Sequence, residues 1–175
     1  MLGRHRASLL AVLTLTALAI YSTSAIAQKH GADNPDVVEI VHYHLNTPRL
    51  DQFIAATSAL TKLVDANPDL RKSMNSGSDD DESLTQKAAD WDLHFPQATA
   101  VVKSAGLSTR EYLVISIALF NDVMIVGMKK QGAIKEYPAD AITPENAAFV
   151  EQNYDKIEKA LAPLMKGANP NADQQ

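Results

Sequence analysis

His42 and His44 are one residue apart, and on an extended segment both imidazoles face the same side. There they can chelate zinc or copper, with a carboxylate such as Glu39 or Asp51, or a third histidine, completing the shell. On a helix, residues two apart do not face each other, and the pair is then two partly buried histidines at a helix end. A second metal geometry needs no fold at all. Cleavage after Ala27 exposes Gln28-Lys29-His30, whose free amine, two deprotonated amides and His30 imidazole can enclose Cu(II) or Ni(II) in a square plane. Cyclisation of Gln28 to pyroglutamate removes the amine and with it the site. His30, His42 and His44 are the metal-ligating candidates of this sequence.

The carboxylates offer less. Asp79-Asp80-Asp81-Glu82 lacks the alternating ligands and central glycine of a calcium loop, and its position just before Leu84 is where a helix dipole favours negative charge. Asp122 lies in the middle of the most apolar long run outside the amino terminus. At 100° per residue it shares a narrow stripe with Glu111, Ala118 and Lys129, so it is expected on the solvent side. The other reading is a polar pocket with Tyr112 or Asn121. No Gly-x-Ser-x-Gly, His-Glu-x-x-His, phosphate loop or dinucleotide turn is present. His94 is the only histidine beyond position 44, which leaves a nucleophile very few bases. Met124 and Met128 suit a core better than a haem, for the last helix has no histidine to serve as the other axial ligand. Catalytic residues and cofactors are therefore expected to be none.

Charge and composition narrow the field further. The 175 residues include 16 Lys+Arg against 21 Asp+Glu, net −5. The first 27 carry only Arg4 and Arg6 and no acid, so their removal leaves 14 basic residues and a net charge of −7. Such a surface repels nucleic acid. Cysteine is absent, which excludes disulfides, thiolate metal sites, c-type haem attachment and a lipid-anchored amino terminus.

Residues 1–27 have the marks of a secretory signal: Arg4 and Arg6, an apolar run from Ala7 to Ile20, and small Ala25 and Ala27 before a cleavage point. As a membrane anchor that run would span roughly 21 Å of a core about 30 Å thick, so a soluble periplasmic or secreted product is expected. Residues 28–36 are polar and read as a flexible leader, and 166–175, without an apolar anchor, as a disordered tail.

Between them the pattern is helical. The run from Val37 to Leu45 reads as helix rather than strand, since nothing else in the chain offers a strand to pair with it. Thr47 caps a helix whose first residue is Pro48, with Leu50, Phe53, Ile54, Leu60 and Val64 on one stripe. Asn67-Pro68 starts a short extra turn. Leu84, Ala88, Trp91 and Phe95 line a helix over 82–95 that Pro96 must kink or restart, and Trp91 and Phe95 are core residues in this reading. Leu107 to Lys130 is the central helix, its start marked by a capping box in which Ser108 accepts from the Glu111 N–H and the Glu111 carboxylate reaches back. Thr143-Pro144 opens the last helix, with Val150, Tyr154, Ile157, Leu161 and Leu164 inward and Pro163 at its end.

Gly106-Leu107-Ser108 followed by Glu111-Tyr112, the apolar helix with Ala118-Leu119, and the later ITPENAAFVEQN resemble a group of small exported helical bacterial proteins of uncharacterised role. The likeness covers about Asn46 to Leu161. It implies a helical periplasmic domain and carries no activity, cofactor or site residue.

The expected fold is all-α, an antiparallel bundle of four principal helices with a short extra helix over residues 37–165. The expected function is non-enzymatic binding of a protein partner or an apolar small molecule, without nucleic acid or stable membrane anchoring. The alternative is a periplasmic metal-handling protein using the amino-terminal histidines. A catalytic pocket around Asp122 and Tyr112 is the third class.

Overall fold

Every regular element among the described residues of the computed structural model, 34–75 and 82–167, is a helix. The signal-like segment, most of the leader with His30, the acidic residues Asp79 to Asp81 and the tail beyond 167 lie outside them. The chain divides into two units, 1–38 and 39–175. Of the first, only the opening of helix α1 (Pro35–His42) is described, where the Asn34 side chain accepts from the Asp36 N–H at 2.9 Å. Helix α1 thus begins at Pro35, two residues earlier than the composition of residues 28–36 implied, because Pro35 and Asp36 suit a first helical turn.

The remaining helices begin and end where local chemistry is strongest, with some shifts from the sequence reading. In α2 (Thr47–Ala66) the cap is Asn46, whose side chain accepts from the Arg49 N–H at 3.0 Å. Thr47 does not cap. The Asn carboxamide is the better cap, and Pro48 at the second position still forfeits nothing, since the first four amides have no partner inside a helix. After α3 (Pro68–Asn75), α4 (Leu84–His94) starts two residues later than expected because Ser83 takes the cap and accepts from Gln86 N–H at 3.2 Å. Pro96 breaks the helix rather than bending it: Phe95 leaves helical geometry at φ −126°, ψ 57°, and α5 (Pro96–Ser104) restarts with the proline in place.

Gly106, at φ +87°, closes α5 as a left-handed residue whose N–H donates to Lys103 O at 3.0 Å. A Cβ there would meet Gln52 Nε2 at 2.7 Å, a second reason for glycine. Ser108 then caps α6 (Thr109–Lys130), accepting from Glu111 N–H at 3.1 Å. Thr143 caps α7 (Pro144–Gly167) through Asn146 N–H at 3.2 Å. Pro163 lies inside α7 instead of ending it. The bond it cancels is the one to the Lys159 carbonyl, and both residues are on the exposed side, where water can serve that oxygen.

α6 packs against α7, α4, α5 and α2. Phe53 of α2, Ile115, Leu119 and Val126 of α6, and Val150 and Ile157 of α7 form the fully buried centre. Trp91 and Phe95 pack on its edge, and Trp91 meets Tyr112 edge-on at 5.7 Å. Leu164, expected inward, is 40 % exposed, because the core ends one turn earlier at Leu161.

Candidate functional site

The solvent-side expectation for α6 is overturned. Asp122 is 1 % exposed and Ala118 fully buried, while Ile117 and Phe120 are 40 % and 44 % exposed. A small residue suits this orientation: Ala118, one turn before Asp122, is fully buried and lets a neighbouring element approach the α6 backbone. On another face of the helix, a Cβ on Gly127 would lie 2.9 Å from the Tyr154 hydroxyl of α7. The polar side of α6 thus faces the core.

Asp122 is held there by neutral groups. Asn121 Nδ2 donates to its Oδ1 at 3.3 Å and to Ala141 O at 2.9 Å. The second carboxylate oxygen, Oδ2, is buried with no hydrogen-bond partner. Burial pushes the Asp122 carboxyl up to about 7 from an ordinary value of 3.8, and the Asn121 and Asn146 amides offset only part of this. Asn146 itself is buried at the start of α7, where its Oδ1 accepts from Leu45 N–H at 3.2 Å and its Nδ2 donates to Tyr43 O at 2.8 Å. One carboxamide therefore secures the non-helical link after α1. Tyr112, the other partner considered for Asp122, is engaged elsewhere: its hydroxyl shares a 3.1 Å bond with the buried Thr57 and its ring stacks on Phe53. A carboxyl titrating near neutrality suits proton transfer, but its hydrogen-bonding neighbours are two amides.

A second polar cluster ties α1 and the following link to α6. Tyr43 Oη donates to Glu111 at 3.0 Å, and Arg49 pairs with the same carboxylate at 3.1 Å. Glu111 therefore does not reach back to close a capping box; two partners from outside the helix hold it more strongly than its own cap amide. Burial, then the Glu111 bond, raises the Tyr43 phenol. Arg110 grips Glu39 through its two terminal guanidinium nitrogens at 2.5 Å, hydrogen bonding that holds Glu39 below the usual carboxylate range. Asp92 accepts from Thr99 at 2.8 Å and from Thr109, joining α4, α5 and α6, and these bonds lower its pKa.

The histidine candidates are dispersed. His42 ends α1 and His44 lies in the link beyond it, and both are exposed rather than partly buried. The carboxylates proposed to complete their shell are committed, Glu39 to Arg110 and Asp51 to Lys156 at 2.7 Å. Among the described residues no three His, Asp or Glu side chains converge to hold a metal.

On its outer side α6 carries an apolar seam. Leu113, Ile117, Phe120, Met124 and Met128 follow at spacings of four, three, four and four. Ile117 and Phe120 are the most exposed, and the other three are half-buried without packing against the core cluster. The helix is long and apolar enough to cross a membrane by length and composition, yet half of its most apolar window is buried within the protein. The surface depression along α7, lined by Lys130, Glu151, Tyr154 and Lys156 among others, is polar and unlike an apolar binding groove. Sequence reasoning missed the seam because α6 is apolar almost all round. The available signal was Asn121-Asp122 together with Asn146, a set of polar residues able to satisfy one another inside.

Compared with family models, with curated proteins and with solved structures, the chain matches none.

Proposed function

We propose that this protein is an exported, periplasmic or secreted antiparallel bundle of four principal helices that acts by binding a protein partner, and that the outer seam of α6 is its binding surface. The observation that carries this reading is the exposure of Ile117 and Phe120, at 40 % and 44 %, in the middle of the most apolar helix. Large apolar side chains aligned on one helix face are what a docked helix or sheet covers. A convex helix face gives a small molecule no walls, so the protein partner is favoured over the apolar ligand. The resemblance to small exported helical proteins supports the same compartment.

The test is a photoreactive residue, p-benzoylphenylalanine, in place of Ile117 in the full chain expressed and exported in cells, with Glu158 of exposed α7 substituted as control. A discrete cross-linked adduct from position 117 and none from 158 is expected. Absence of any adduct at 117 overturns the binding surface. Intact mass of the soluble product, expected to start at Gln28, tests export.

A further inference from the structure

We propose that Asp122 and Asn146 form a proton-controlled latch: loss of the Asp122 proton turns the Asn146 carboxamide away from the link Tyr43–Leu45, and the link opens.

Among the described residues, Asn146 is the only group outside α1 that holds the backbone of this link. Its Oδ1 accepts from Leu45 N–H at 3.2 Å and its Nδ2 donates to Tyr43 O at 2.8 Å. These two bonds fix which end of the carboxamide is which, and they leave one Nδ2 hydrogen to spare. The same amide favours the charged form of Asp122, as an N–H donor does. Yet Asp122 Oδ2 is buried without a partner. In the closed link, therefore, Asn146 does not serve Oδ2 and the link together.

A neutral carboxyl tolerates an unserved oxygen far better than a carboxylate does. On ionisation Oδ2 requires a donor. Asn121 already gives its Nδ2 to Oδ1 and to Ala141 O, at 3.3 Å and 2.9 Å, which leaves Asn146 to answer. The carboxamide is planar, so turning its nitrogen toward Asp122 draws both ends off the link at once. The charge-assisted bond gained is stronger than the amide-to-carbonyl bond given up. The link yields before the helices do, because Asn146 stands in the first turn of α7, whose Val150 and Ile157 are fully buried, whereas residues 43–46 are non-helical.

The surrounding charges leave control with Asp122. On α6 itself, Glu111 is paired with Arg49 and Lys129 with Glu151 of α7. Asp92 of α4 is held by Thr99 and by Lys103 of α5, and Asp51 of α2 by Lys156. Glu145 of α7, Asp140 of the preceding connector and His44 of the link are exposed, and the Tyr43 phenol donates to Glu111. What acts on the Asp122 carboxyl is burial and the two amides. With the carboxyl raised from 3.8 to about 7 in the closed form, the latch is tightest below about pH 4. It weakens by up to about tenfold per pH unit to about pH 7 and is flat above.

The test is amide hydrogen exchange of the full exported chain at pH 5 and pH 8, each rate divided by that of an unstructured amide at the same pH. The protection of Leu45 N–H is expected to fall at least tenfold from pH 5 to pH 8, with Ile115 N–H, deep in α6, still at least tenfold better protected at pH 8. In Asp122→Asn, which keeps His42 and His44, Leu45 should hold its pH 5 protection at both values. In Asn146→Ala, Leu45 should be poorly protected at both. Four results overturn the latch: a fall of less than tenfold in the wild type, an equal fall in Asp122→Asn, a fall of wild-type size in Asn146→Ala, or equal protection of Leu45 and Ile115 at pH 8, which would mean that the whole domain opens together.

Discussion

The two sides of α6 are reversed relative to their chemistry. The side that carries Ala118 and Asp122 is buried against protein, and the side that carries Ile117 and Phe120 meets solvent. On the inner side a carboxylate is retained at a cost, since Oδ2 of Asp122 finds no donor. On the outer side two large apolar residues are left uncovered, which costs solubility rather than stability. The comparison teaches that the facing of a helix surrounded by neighbours follows close approach. A small residue lets the adjoining element in, and a polar residue one turn away is then buried with whatever partners that element brings.

The largest effect belongs to the buried side. Leu119 is fully buried beside this stripe, so Leu119→Asp is expected to prevent cooperative folding, read as loss of the thermal transition in circular dichroism. A normal melt would mean that this side of α6 is not the core.

Asp122→Asn sharpens the comparison through pH. Because the folded pKa is raised to about 7 from 3.8, the folded protein keeps the proton where the unfolded chain has lost it. The Asp122 contribution to stability is therefore full below about pH 4, falls by about 1.4 kcal/mol per pH unit up to about pH 7, and is flat above. Denaturant titrations of Asp122→Asn should show it a few kcal/mol more stable than wild type at pH 8 and nearly equal at pH 4. Glu39 and Asp92, whose pKa values are lowered, act with the opposite sign at the acid end, and the difference between the two proteins cancels them. Equal stability of both proteins at every pH would show that Asp122 is solvated.

Ser108→Ala is expected to cost about 1 kcal/mol by removing the bond to Glu111 N–H, whichever side of the helix is buried. The smallest effect belongs to the outer side. Phe120→Ser should leave the unfolding free energy of the monomer within about 0.5 kcal/mol of wild type at low concentration, checked by urea titration. A loss of several kcal/mol would show that Phe120 is core.

Much of the fold could be read in the residues. Pro96 had to interrupt a helix, Gly106 to end one and Ser108 and Thr143 to start two, because each of these acts on the backbone within a turn of itself. The burial of Leu50, Phe53, Val150, Ile157 and Leu161 followed from their spacing, since α2 and α7 each have a distinct polar side. The cap of α2 was misplaced by one residue, and the Glu111 side chain was assigned to its own helix, because Tyr43 and Arg49 are distant in sequence and their reach is a matter of tertiary placement. The histidine pair read as a chelate only on an extended chain; α1 ends between His42 and His44, and the carboxylates near them were already engaged.

The sequence by itself determined that the described chain is helical and where most of its helices begin and end, because caps, prolines and left-handed glycines act through bonds a few residues long. Only the tertiary structure decided which side of α6 is inside. With apolar residues on nearly every side, that helix has no intrinsic preference strong enough to orient it, so the choice fell to Ala118, which permits contact, and to Asn121 and Asn146, which make the burial of Asp122 tolerable.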